Sequence, residues 1–239
     1  GDWSPINRSS AAFCSWNWKA NGQGSSNTDG TINSEYTSTN TTAGFSVVTF
    51  TGTGATATVG HGLGVKPAMI WIKVRNNTDD WNVWMGNKSS NQIGLLNESS
   101  GFYTPGDATI DAATTTTDVI GLGSGSPANR SGAPIVAYCW AEIPGYSKFN
   151  TYVGNGSATD GRFVYTGFAP TMVVCKTTGN DSWMLYTDKI SGATAPSNTA
   201  LSGIFNRHNL LLEFNNSGDT QSAGTNQGID MYSNGFKLF

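Results

Sequence analysis

The sequence predicts an all-β protein made of two tandem antiparallel β-sandwich modules of jelly-roll or lectin-like type, and three observations carry that prediction. The chain contains itself twice. Pro67-Ala68-Met69-Ile70-Trp71-Ile72-Lys73 returns as Pro170-Thr171-Met172-Val173-Val174-Cys175-Lys176, and Trp81 returns as Trp183, at an offset of about 100 residues. Apolar residues alternate with a period of two in short runs bounded by Gly, Pro, Asn and Ser, and no window shows a helical period. Charged residues are 12% of the chain, against roughly 25% in an ordinary domain, and 30 of 239 residues are Gly, so turns are abundant.

Taken in order, Ala12 to Lys19 reads as a strand, and it is a copy of a later one. Asn7 through Trp18 aligns without a gap on Asn129 through Trp140. Residues 20–43 form a Ser/Thr/Asn/Gly stretch, either linker or edge structure, in which Ile32 and Tyr36 are the large apolar groups. Strands follow at 45–51, 56–60, 67–74, 81–86, 92–97, 117–122 and 134–142. The second copy repeats the pattern at 146–153, 162–166, 170–177, 182–187, 209–215 and 235–239. This spacing, with turn residues between runs, is that of a sandwich.

The two copies differ in two places. Leu95-Leu96-Asn97 matches Glu213-Phe214-Asn215 at a larger offset, so the second copy holds about 16 extra residues within 188–209, and insertions land in surface loops. The second copy also stops at Phe236-Lys237-Leu238-Phe239, before any counterpart of the strand at 134–142. The N-terminal copy of that strand is expected to complete a neighbouring module, or to fold back onto the second one, because an unpaired edge invites association. The organisation is then residues 1–20 as a completing strand, 21–142 as the first repeat and 143–239 as the second. With no signal peptide and no initial Met, the chain reads as a piece of something longer.

Composition excludes several classes. A net charge of −3 offers no basic stripe for nucleic acid, and no apolar run is long enough for membrane insertion. Cys14, Cys139 and Cys175 lie in apolar runs and align with no other Cys, which reads as buried thiols. His61 sits between Gly60 and Gly62, which reads as a tight turn. With His61 and His208 as the two histidines, no Gly-x-Ser-x-Gly elbow and no Glu-x-Asp-x-x-Glu strand, no catalytic residues are assigned and the chain is not expected to be an enzyme.

Several motifs together resemble a repeat module of uncharacterised function in bacteriophage virion proteins, notably tail-fibre proteins of marine phages. They are Gly44-Phe45-Ser46 through Gly54, Val59-Gly60-His61-Gly62-Leu63-Gly64, Pro67 through Lys73, Ile135-Val136-Ala137-Tyr138-Cys139-Trp140-Ala141-Glu142, and Ser233 through Leu238. The second copy departs from the pattern, with Gly161-Arg162-Phe163-Val164-Tyr165-Thr166-Gly167-Phe168 replacing the His-containing signature. The resemblance implies a virion, extracellular setting, a structural or host-attachment role, and other virion subunits as partners. It implies a homo-oligomer, a trimer if the protein is a fibre.

Sugar recognition uses flat aromatic rings with polar groups beside them. Trp81 and Trp183 recur at one repeat position, which reads as core. Trp71 is unique to the first copy and shares a strand face with Lys73, as a surface platform or a core edge. Phe102 and Tyr103, in a Gly/Pro-flanked loop, and Arg207 and His208, at the end of the insertion, complete the candidate ligand-binding set. No cofactor is required, although Asp79, Asp80 and Asp181, in matching turns, offer calcium ligands or, equally, side chains bonded to their own turns. The expected function is a non-enzymatic tail-fibre module for attachment to a host-surface glycan or for fibre architecture. Two alternatives are a capsid decoration or assembly protein and a carbohydrate-binding module of a polysaccharide-degrading enzyme.

Overall fold

The computed structural model describes residues 15–88, 91–107, 109–124, 127–157, 159–188, 207–208, 210–215, 221–222 and 228–239. These residues form strands without an α-helix, so the protein is all-β. In chain order the strands are β1 (Tyr36–Asn40), β2 (Phe45–Thr51), β3 (Ala57–Gly60), β4 (Met69–Val74), β5 (Asn82–Met85), β6 (Ile93–Leu95), β7 (Val119–Leu122) and β8 (Pro134–Trp140). They continue with β9 (Phe163–Tyr165), β10 (Met172–Cys175), β11 (Met184–Thr187), β12 (Arg207–His208), β13 (Leu210–Glu213), β14 (Gln221–Ser222), β15 (Ile229–Tyr232) and β16 (Gly235–Leu238).

Alternation decides what each strand buries. In the first half, the antiparallel sheet β1-β2-β8-β4-β5-β6 turns Val48, Phe50, Ile70, Ile72, Trp84, Ile135, Ala137 and Cys139 inward, where all are buried. The β3–β7 pair covers that face with Val59, Ile120 and Leu122. In the second half, the sheets β10-β11-β13-β14 and β12-β15-β16-β9 enclose Val164, Val173, Tyr186, Leu211, Ile229 and Phe236. Each sheet draws its strands from one half alone.

The sequence repeat reappears as strand register. Ile70 faces Trp84 and Trp71 faces Val83 across β4–β5, while Val173 faces Tyr186 and Val174 faces Leu185 across β10–β11. Asn82 pairs with Leu95 in the first half, and Met184 pairs with Glu213 in the second. The amide of Leu96 donates to the Trp81 carbonyl at 2.9 Å, and that of Phe214 donates to the Trp183 carbonyl at 3.2 Å.

Residues 36–40 take the edge alternative and form β1, although Tyr-Thr-Ser-Thr-Asn has no apolar alternation; the pairing to β2 supplies what the pattern does not. Two segments depart from expectation. The strand expected at 146–153 does not form, because β2, its counterpart, is held by β8 and the described second half has no strand in that place. Residues 15–20 are not a strand either: Trp18 lies against Phe45 and Trp140, so the described part of this segment rests on the first half and does not complete the second. Residues 12–14 of the expected strand, and most of the 188–209 insertion, lie outside the described residues.

Candidate functional site

The outer face of the large first-half sheet carries the rings singled out in the sequence, and most of them are engaged. Trp71 is half-buried, with its ring centroid 4.9 Å from Trp140 and 5.9 Å from Phe214, so other rings hold it on two sides and it is not a free platform. Lys73 donates from Nζ to the carbonyls of Asn77, at 2.7 Å, and Asp79, which ties down the β4–β5 turn. Phe102 meets Trp183 edge-on at 5.8 Å, with the Lys88 ammonium over its ring. Tyr103, paired through its backbone with Ile93, keeps an exposed ring.

Trp81 and Trp183 do not serve the two cores as their recurrence suggests. Trp81 stacks on Tyr138 on the outer face, and Trp183 packs with Val83 and Leu96 of the other half. A cavity of about 470 Å³ remains among Trp16, Trp18, Trp71, Tyr138 and Trp140. Its lining is mostly aromatic, with the Asn17 amide, the Tyr138 hydroxyl and the indole nitrogens as its polar groups.

The acidic residues do not converge. Asp79 pairs with Arg130, Asp80 Oδ1 accepts from Asn97 Nδ2 at 2.7 Å, and Asp181 Oδ2 accepts from Thr177 Oγ1 at 2.8 Å. Asp181 is bonded within its own turn, whereas the partners of Asp79 and Asp80 lie 51 and 17 residues away in sequence. Among the described residues, no group of three or more His, Cys, Asp or Glu is placed to hold a metal ion.

His61 is buried in the turn after β3, with Gly62 and Gly64 at φ 70° and 72°. Its Nδ1 accepts the Leu63 amide at 3.1 Å, which puts the proton on Nε2, 3.3 Å from the Thr116 carbonyl. Burial lowers its pKa below the ordinary 6.5, against the raising effects of Thr116, Asp118 and Asp29. Burial also pushes the Cys139 thiol well above its usual range, so that thiol is inert.

An open aromatic surface lies on the outer face of β9-β16-β15. The register places Tyr165 opposite Gly235 and Gly235 opposite Tyr232, and beside this row Phe163 opposite Lys237 and Lys237 opposite Asp230. Tyr165 is 62% exposed, Phe163 46% and Tyr232 44%. Phe163 and Tyr232 meet edge-to-face at 5.8 Å, and Lys237 Nζ pairs with Asp160 Oδ1 at 2.8 Å. Gly235 keeps the middle flat: a Cβ there would come within 2.3 Å of the Val164 carbonyl and 2.7 Å of the Phe163 ring. Arg207 pairs with Asp230, and His208 with Ile229, in the next strand of the same sheet.

The sequence held a signal for this surface that was not read as a site. Phe163 and Tyr165 stand in the segment where the second copy departs from the His-containing signature, and their alternation around Val164 puts both on one face. Tyr232 is brought beside them by the β15–β16 hairpin, which joins strands that no local pattern links.

The family model for a domain of unknown function (DUF7483) matches residues 1–239. The chain belongs to that family. No curated protein and no solved structure matches it. Both halves, and the aromatic surface on the second, therefore fall within one family unit.

Proposed function

We propose that this chain is a non-enzymatic virion module, of the tail-fibre kind, that holds a host-surface glycan on the Phe163–Tyr165–Tyr232 surface. The observation that carries the reading is the ring row itself. Three aromatic side chains stand exposed on one flat sheet face, with Lys237 and Asp160 beside them. Aromatic faces take the apolar face of a pyranose, while ammonium and carboxylate groups take its hydroxyls. The virion setting rests on the motif resemblance, and no catalytic group is assigned.

Single-site contact of this kind is weak, and repeated copies in one assembly raise it by avidity, so low affinity per chain is compatible with firm attachment. The test is binding of the purified chain, displayed in clusters, to a glycan array and to bacterial cells. Saturable binding that Tyr165→Ala removes supports the reading. A role in fibre architecture is the second reading, favoured by the aromatic packing that joins the two halves at Trp183.

A further inference from the structure

The outer face of the first-half sheet collects aromatic rings by strand register. Trp71 stands opposite Tyr138 and Phe45 opposite Trp140, on the face away from buried Ile70, Ala137 and Cys139. The second half covers one side of this face, with Phe214 on Trp71 and Trp183 on Val83 and Leu96. On another side Trp18, from a segment that joins no sheet, lies against Phe45 and Trp140. The cavity of about 470 Å³ remains between these covers. That volume falls within the range of small-molecule sites, about 300–1,000 Å³.

The rings that line it are steeply inclined to one another. Trp18 stands at 79° to Trp140 and Trp71 at 58°, with centroids 5.9 and 4.9 Å away. Trp81 is stacked on Tyr138 at 6.0 Å, so these two are not free to sandwich a flat guest between them. A planar guest needs one broad open face, whereas a rounded one touches several steep walls at once. Among the described residues, no Asp, Glu, Lys, Arg or His lines the cavity. Lys73, two residues beyond Trp71, directs its ammonium to the Asn77 and Asp79 carbonyls. Attraction for a charged guest must therefore come from ring faces, which are negative and draw cations. The positive N–H edge of Trp71 is occupied, donating to Met69 Sδ at 3.3 Å. A primary ammonium would give up hydrogen bonds to water, and the lining side chains offer it only the Asn17 amide and the Tyr138 hydroxyl as acceptors. A quaternary ammonium has no such bonds to lose.

We infer that this cavity binds a trimethylammonium group, carried by choline or by a larger molecule that ends in it. The methyl groups meet the ring faces of Trp18, Trp71 and Trp140, and the remainder of the guest leaves past Trp18, which is 37% exposed. The inference is independent of the glycan reading, which concerns rings in the other half, and either can fail alone.

The test is titration of the full chain with choline, followed by tryptophan emission and isothermal calorimetry, beside the neutral isostere in which carbon replaces the nitrogen. The expected result is saturable choline binding, about tenfold tighter than that of the isostere, as desolvated cation–π contact predicts. Trp18→Leu should weaken it several-fold and Trp18→Phe much less, both with the circular dichroism of the parent, since Trp18 belongs to no sheet. Phosphatidylcholine vesicles identify the source: cosedimentation that choline competes away places the group on a lipid headgroup, and choline binding without cosedimentation places it on a solute. Equal affinity for choline and the isostere overturns the inference, leaving a plain apolar cavity. Choline binding that Trp18→Leu does not weaken overturns the site, and no saturation by choline overturns the inference outright.

Discussion

The indole nitrogen of Trp183 donates a 2.9 Å hydrogen bond to the Leu95 carbonyl, and this bond crosses between the two halves of the chain. It is supported by the Gly101 amide, which donates to Asn180 Oδ1 at 3.0 Å, and by the edge of Phe102 against the same indole. Gly94 lies under the ring: a Cβ there would approach Trp183 at 3.1 Å. The residue whose recurrence reads as core thus lies where the two halves of the chain meet.

Trp183→Ala is therefore expected to destabilise the junction. The side chain is 3% exposed, and removing a buried Trp costs about 3–5 kcal/mol. Calorimetry should show one transition for the parent chain and two for the variant, as the halves lose their coupling. Gly101→Ala should act in the same direction, because its Cβ would stand 2.5 Å from the Thr178 carbonyl.

Trp71 and Trp84 should separate surface packing from core. Trp84 is buried on the inner face, so Trp84→Ala should cost about 3–5 kcal/mol in denaturant unfolding. Trp71→Ala, on a half-buried ring, should cost less, about 1–3 kcal/mol, and leave glycan binding unchanged. Equal losses at the two positions would contradict the assignment of faces.

His61 gives the chain an acid-sensitive turn. Its folded pKa lies below the unfolded 6.5, so the unfolded state binds more protons in the interval between the two. The stabilising effect of the neutral ring is present above pH 6.5 and declines as pH falls from there toward the folded pKa. Melting temperature followed through that interval should decline in the parent chain. His61→Gln should be less stable at neutral pH but show a flatter decline.

Much of the fold was legible because the repeat is copied into strand register, from Ile70–Trp84 and Val173–Tyr186 to Asn82–Leu95 and Met184–Glu213. What alternation could not show was partnership. β1 is a strand because β2 holds it, and residues 146–153 are not, because no described strand stands where β8 would. The site was legible only in part, for the same reason. For Trp71 the sequence left a surface platform and a core edge open, and it is Trp140 and Phe214, distant in sequence, that cover the ring. Tyr232 reaches Phe163 only through the pairing of β9, β16 and β15.

The most direct measurement is clustered-display glycan binding by the parent chain, Tyr165→Ala and Tyr232→Ala, with thermal unfolding recorded on each. Tyr165 is the more exposed, so its truncation should shift stability by less than about 0.5 kcal/mol, while Tyr232→Ala also loses the Phe163 contact, about 0.5–1.5 kcal/mol. The account predicts saturable binding by the parent, lost in both variants while both remain folded. Undiminished binding in both variants, or none by the parent under clustered display, would contradict it.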